Sequence, residues 1–223
     1  MQAQPILTNA PNQTGKPSLI KMIWSPVEQM NRIKETPNIM FALFIVTVLY
    51  TFGVATMALN YDMSTLLEDI PDVESNSLLF KSIVIGSAAL SGLTTPLFNI
   101  LASSCFFYII AKIFKKSVTF RQIFSLNTYV MIIGVIGLLL NSLLLHTLNI
   151  EGIKTITSLS ALVNNSSFEK LEIFTIWQTV VTGLGLYYVA NFSKTLSWVI
   201  SVVLLVLIVV AGYLFSGDMQ GLA

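Results

Sequence analysis

The sequence predicts an all-α, polytopic membrane protein: five transmembrane helices preceded by an N-terminal interfacial amphipathic helix. The first observation behind this is composition. The 223 residues are 54% apolar and only 10% charged, with a mean hydropathy of +0.77, whereas a soluble domain carries about 25% charged residues. There is too little polar surface here to cover a water-exposed globule. The second observation is that the apolar residues fall in five blocks, 38–59, 82–111, 126–148, 173–191 and 195–215, with no Asp, Glu, Lys or Arg inside any of them. Each meets the ~20 residues that a helix needs to cross a ~30 Å hydrocarbon core, and a backbone in lipid must satisfy its own hydrogen bonds. The third is the segregation of charge between the blocks. With the N-terminus inside, nine of twelve Lys and Arg fall on the inner side against two of eleven acids, giving +7 inside and −6 outside. The Lys/Arg bias predicts a cytoplasmic N-terminus and an external C-terminus.

The elements follow in order. Residues 1–18 are rich in Pro, Asn, Gln and Thr and are expected to form a disordered cytoplasmic leader. The first apolar block begins near residue 38, too late for a cleaved signal peptide. Residues 19–37 form the interfacial helix. Ser25-Pro26-Val27-Glu28 reads as a capping box with Pro at the first helical position, and Pro37 ends the helix. Val27, Met30 and Ile33 are expected on one face, opposite Gln29, Arg32 and Glu35. With Trp24 in front, the segment suits the cytoplasmic headgroup layer; the plainer reading is a helix packed under the bundle as a cap. Trp24, Pro26, Met30 and Arg32 are its candidate membrane-surface or partner contacts.

Residues 38–217 form the five-span domain, and 218–223 a short external tail. The second block is the unusual one, since its first half reads GSAALSGLTTP. Small residues let helices approach closely in lipid, so Gly86, Ala89 and Gly92 are expected to pack against neighbours and to make this helix central. Pro96 frees the carbonyl of Gly92 and predicts a kink, with Thr94 and Thr95 able to re-satisfy the backbone. Lys112, Lys115, Lys116 and Arg121 make a basic inner loop; attraction to anionic lipid, about 1 kcal/mol per charge, accounts for them without a protein partner. Outside, Thr65–Glu68 and Ser166–Glu169 read as capping boxes, the second opening the helix that becomes span four.

Little chemistry is available. One cysteine, Cys105, excludes a disulfide framework and Cys-rich metal sites, and the single His146, near the outer end of span three, excludes HExxH-type centres. Gly15–Ser18 lacks the upstream glycine of a phosphate-binding loop, so no nucleotide site, cofactor or nucleic-acid partner is expected. Asn99, Asn141 and Gln178 are the polar groups singled out at membrane depth, read first as interhelical hydrogen-bonding groups and second as substrate contacts.

Three stretches in order, IWSPVEQMNRIKETP, AKIFKKSVTFRQIFSLNTYVMIIGVIG and FEKLEIFTIWQTVVTGLGLYYVANFSKTLSWVISV, resemble the bacterial branch of the Yip (Ypt-interacting protein) domain family. The resemblance runs from about Ile20 to the last span. It implies a multi-pass protein of the bacterial cytoplasmic membrane. The eukaryotic branch carries a D-L-Y-G-P leader motif for Rab-type GTPases where this chain reads IWSP. Some bacterial members are accessory components of MacB-type ABC exporters that protect against a toxic peptide. The function so implied is a non-catalytic accessory subunit. A small-molecule or lipid permease, with its site at the Gly92–Pro96 break, and a stand-alone membrane-organising protein are the alternatives.

Overall fold

The computed structural model describes residues 15–60, 78–148, 150, 155–163 and 171–220. Among these residues the chain forms seven α-helices: α1 (Pro26–Glu35), α2 (Met40–Ala58), α3 (Leu78–Ile113), α4 (Phe120–Thr147), α5 (Leu159–Val163), α6 (Ile173–Tyr188) and α7 (Lys194–Gln220), with a 3-10 turn at Ile20–Met22 ahead of α1. Four of them, α2, α3, α4 and α7, are long and apolar enough to cross a membrane. The expected fourth span, 173–191, gives α6, whose 16 residues cover about 24 Å.

Helix ends follow from local chemistry. α4 opens with a complete capping box: the Thr119 hydroxyl accepts from the Gln122 backbone, and the Gln122 side chain accepts from the Thr119 N–H at 2.9 Å. The Ser25–Glu28 box expected at α1 does not form. The Ser25 N–H is spent on the Lys21 carbonyl and the Glu28 carboxylate pairs with Arg32 at 2.7 Å, which removes the reciprocal bond, and the Ser25 hydroxyl makes no capping bond. Pro26 does occupy the first turn. α3 stops where Lys115 turns left-handed at φ 51°, with the Lys116 N–H returning to the Ala111 carbonyl, a Schellman-type end. Asn191, at φ 56°, reverses the chain between α6 and α7 in the same left-handed region. The Thr65–Glu68 and Ser166–Glu169 boxes and residues 1–14 lie outside the described residues. α6 itself begins at Ile173, after an extended Glu172 that bridges to Ser158, and so does not grow out of the Ser166 box.

The hub of the bundle is α4, not α3. More than half of the α4 apolar stretch is buried, against about a fifth for α3, and α4 packs against α1, α2, α3 and α6. Small residues on α3 create one close seam, the buried line Gly92, Pro96, Ile100, Ser104, Phe107 and Ala111, but leave the rest of that helix facing outward. Pro96 lies inside an unbroken helix. α2 runs parallel to α4, shown by Gly53 on Leu138 and by the Ser142 hydroxyl donating to Thr56 at 2.8 Å. α6 runs antiparallel, with Gly185 on Leu126, Gly134 on Gln178 and Gly137 on Phe174. Lys34, Lys112, Lys115, Lys116, Arg121 and Lys194 therefore gather at one end of the bundle, where Lys112 lies over the Tyr108 ring and Lys116 over Phe192.

Candidate intramembrane site

The N-terminal segment folds back on itself before α2 begins. The Thr36 hydroxyl reaches the Gly15 carbonyl, Arg32 donates to the Lys16 carbonyl at 3.3 Å, and the Ser18 N–H donates to Gln29 Oε1 at 2.8 Å. Those pairings run residues 15–19 antiparallel to α1, with the turn at Ile20–Ser25. The hairpin is held at both ends. At the basic end the Lys34 ammonium donates to Asn191 at 2.6 Å, and Gln122 donates to the Lys34 carbonyl at 2.7 Å. Towards the tip, the Tyr129 hydroxyl donates to the Pro17 carbonyl and the Trp177 indole N–H to the Ile23 carbonyl, both at 3.1 Å. Trp177 lies 11 residues before Tyr188, about 16 Å along α6, so the hairpin tip reaches well down the bundle.

The faces of α1 differ from the sequence expectation. Met30 and Ile33 are fully buried, but so is Gln29, placed by its pattern on the polar face. Its carboxamide oxygen is needed inside the hairpin, which overrides hydropathy. Pro26 and Met30 are interior, and Arg32 is tied to Glu28 and Lys16, so of the four expected contact residues only Trp24 stands free, 63% exposed. Ile20 and Val27 are exposed with it.

Behind this hairpin α2, α3, α4, α6 and α7 enclose a cavity of about 640 Å³. Asn99 on α3 and Gln178 on α6, separated by 79 positions in sequence, both line it. Asn127, one residue inside the third apolar block, also lines it and was not singled out by the sequence pattern, although it is the same kind of intramembrane carboxamide. Its Nδ2 donates to the Ser104 hydroxyl at 2.9 Å. Four wall hydroxyls are already engaged, Ser103 with the Asn99 carbonyl, Thr179 with Thr175, Thr182 with Gln178 and Ser201 with Ser197, each four residues back on its own helix. The side chains of Asn99 and Gln178 make no hydrogen bond among the described residues. No charged residue lines the cavity.

Asn141 belongs elsewhere. It donates to the Gly137 carbonyl at 2.9 Å and to Glu172 at 2.5 Å, while its own oxygen accepts from the Thr157 N–H. The Thr157 hydroxyl completes the knot at 2.6 Å from Glu172. This joins α4 to the start of α6 at the end opposite the lysines. His146 is exposed in the last turn of α4.

Gly92 and Gly86 separate. A Cβ on Gly92 would lie 2.7 Å from the Thr51 Cα, a close backbone approach of α2 and α3; one on Gly86 would meet nothing within 4 Å. Ala89 is half-buried, and Pro96 is buried in the seam. Thr94 bonds the Leu90 and Ser91 carbonyls rather than that of Gly92. Gly86 thus drops out of the packing set because it falls on the outward face of α3.

Comparison with known proteins covers almost the whole chain. The Yip1 domain matches residues 20–215. The membrane protein YknW of Bacillus subtilis (strain 168) is 27% identical over 227 residues, covering 96% of each chain. No solved structure matches.

Proposed function

We propose that this chain, which belongs to the Yip1 domain family, is a non-catalytic accessory subunit that associates with an ABC exporter in the bacterial cytoplasmic membrane and supports its assembly or activity, as in protection against a toxic peptide. The observation that carries the reading is the end-to-end correspondence with YknW, 96% of both chains, which includes the N-terminal hairpin as well as the helices. In this reading α6 is the fourth of the five spans, and the lysine-rich end faces the cytoplasm. Lys112, Lys115, Lys116 and Arg121 offer contacts to anionic lipid or to the exporter at that end, while Trp24, exposed at the hairpin tip, offers a separate apolar contact further along the bundle. The absence of Asp, Glu, Lys and Arg from the apolar blocks agrees with a role that needs no charge transfer at membrane depth.

The test is recovery of an exporter's permease and ATPase subunits on the tagged full-length chain from membranes of its own host, with protection of the cells read in parallel. Loss of recovery in Trp24→Ala at unchanged expression supports the reading. Purified protein in liposomes that moves a solute with no ATPase present refutes it and favours a permease, for which the cavity is the specific structural argument.

A further inference from the structure

The cavity combines three properties that together define a ligand. Its walls are mostly apolar, with a few carboxamides and hydroxyls and no charge. Of its carboxamides, those of Asn99 and Gln178 are unbonded among the described residues, and each can donate and accept. In a membrane interior such groups gain by finding a partner, because no bulk water competes for them. It is also of ligand size, within the range of about 300–1,000 Å³ usual for small-molecule pockets.

The third property is its access. Beside the lysines the space is closed by a packed cluster of Phe107, Ala111, Ile123, Leu186 and Phe192, against which Leu204 leans. Further along, α3 and α7 make no close backbone approach, and Asn99 is exposed on α3. The mouth therefore opens sideways between these two helices, onto their apolar outer faces, and a ligand reaches it from the bilayer.

We infer that this cavity binds an uncharged, bilayer-soluble amphiphile bearing an amide or hydroxyl group, its polar group at Asn99 and Gln178 and its chain against Phe106, Leu204 and Ile208. A carboxylate or phosphate headgroup is disfavoured, since no lining residue supplies a counter-charge and burial of an unpaired charge is costly. The site does not depend on association with an exporter, so it stands or falls separately from the accessory role.

The experiment uses the purified full-length chain in phosphatidylcholine liposomes and a long-chain primary fatty amide carrying a mid-chain diazirine and a terminal alkyne. After photolysis, labelled residues are mapped by mass spectrometry. Labelling is expected to concentrate on cavity-facing Phe106, Leu204 and Ile208, and to be competed by unlabelled amide but not by the carboxylate of the same chain length. It should fall about tenfold in the Asn99→Leu/Gln178→Leu double variant. Ser103→Trp, which fills the space from the α3 wall and leaves both carboxamides in place, should remove the same labels and spare outward-facing Leu207. It carries the test alone if the double variant does not fold. Labels spread evenly over the outer faces of α3 and α7 and indifferent to Ser103→Trp overturn the inference, as does equal competition by the carboxylate.

Discussion

Gly92 and Gly86 lie on one helix, six residues apart, and replacing each by Ala makes the same chemical change in two different surroundings. In isolation Ala is preferred over Gly within a helix by about 0.8–1.0 kcal/mol. At Gly86 the new methyl meets open space, so Gly86→Ala should be neutral or stabilising by up to about 1 kcal/mol. At Gly92 the methyl would sit 2.7 Å from the Thr51 Cα, whereas carbon atoms settle at about 3.5–4.0 Å. The obstacle is backbone, so α2 and α3 must separate by about 1 Å along a seam that also holds Pro96 and Ile100. Overpacking of this kind costs about 1–3 kcal/mol, enough to reverse the propensity gain. The two variants should therefore differ by roughly 1–3 kcal/mol, with Gly92→Ala the less stable. Thermal unfolding in detergent, monitored by circular dichroism for both variants and the parent in one micelle, reads the difference. Equal midpoints for the two would refute the close approach of α2 and α3 at Thr51.

Trp177→Phe keeps the ring but removes the N–H that holds the Ile23 carbonyl; we expect a loss of about 1 kcal/mol and faster hydrogen exchange at residues 18–25, while unchanged exchange there would detach the hairpin from α6. Thr119→Ala removes the N-cap of α4 and should cost about 0.5–2 kcal/mol in the same melts, whereas Ser25→Ala, whose side chain caps nothing, should cost almost nothing. Glu172→Ala leaves Asn141 and Thr157 short of their shared acceptor, for an expected loss of about 1–3 kcal/mol; an unaltered melting point would make that knot incidental. In a Cys105→Ser background an impermeant thiol reagent applied outside cells should modify Ser160→Cys and not Ser117→Cys, the reverse pattern overturning the orientation.

The apolar blocks were legible in the sequence because hydropathy and length alone decide them. What hydropathy could not rank was which helix sits in the middle. α3 and α4 are both apolar, and the small residues of α3 serve only one seam, while α4 earns its central place from partners on every side. The two capping patterns make the same point at smaller scale. Ser25–Glu28 and Thr119–Gln122 both fit the motif, yet only the second forms, because at the first the Ser25 N–H and the Glu28 carboxylate have nearer partners in Lys21 and Arg32. Gln29 was misplaced for the same reason, its hydrogen bond to Ser18 being invisible to periodicity. Asn99 and Gln178 were recognisable as polar groups at membrane depth. That they share a cavity, and that Asn141 does not, depends on how α3, α4 and α6 are set against one another, which no local pattern records.

The hairpin has a consequence for how the protein is made. Two of its fastenings join residues 154 and 157 positions apart, Ile23 to Trp177 and Lys34 to Asn191. Synthesis proceeds from the N-terminus, so the hairpin leaves the ribosome long before α6, which completes its berth, exists. Until then Met22, Met30 and Ile33, all fully buried in the finished fold, have no α6 to close over them. The hairpin, translated ahead of every helix from α2 onward, is thus seated only once α6 has followed it into the bundle.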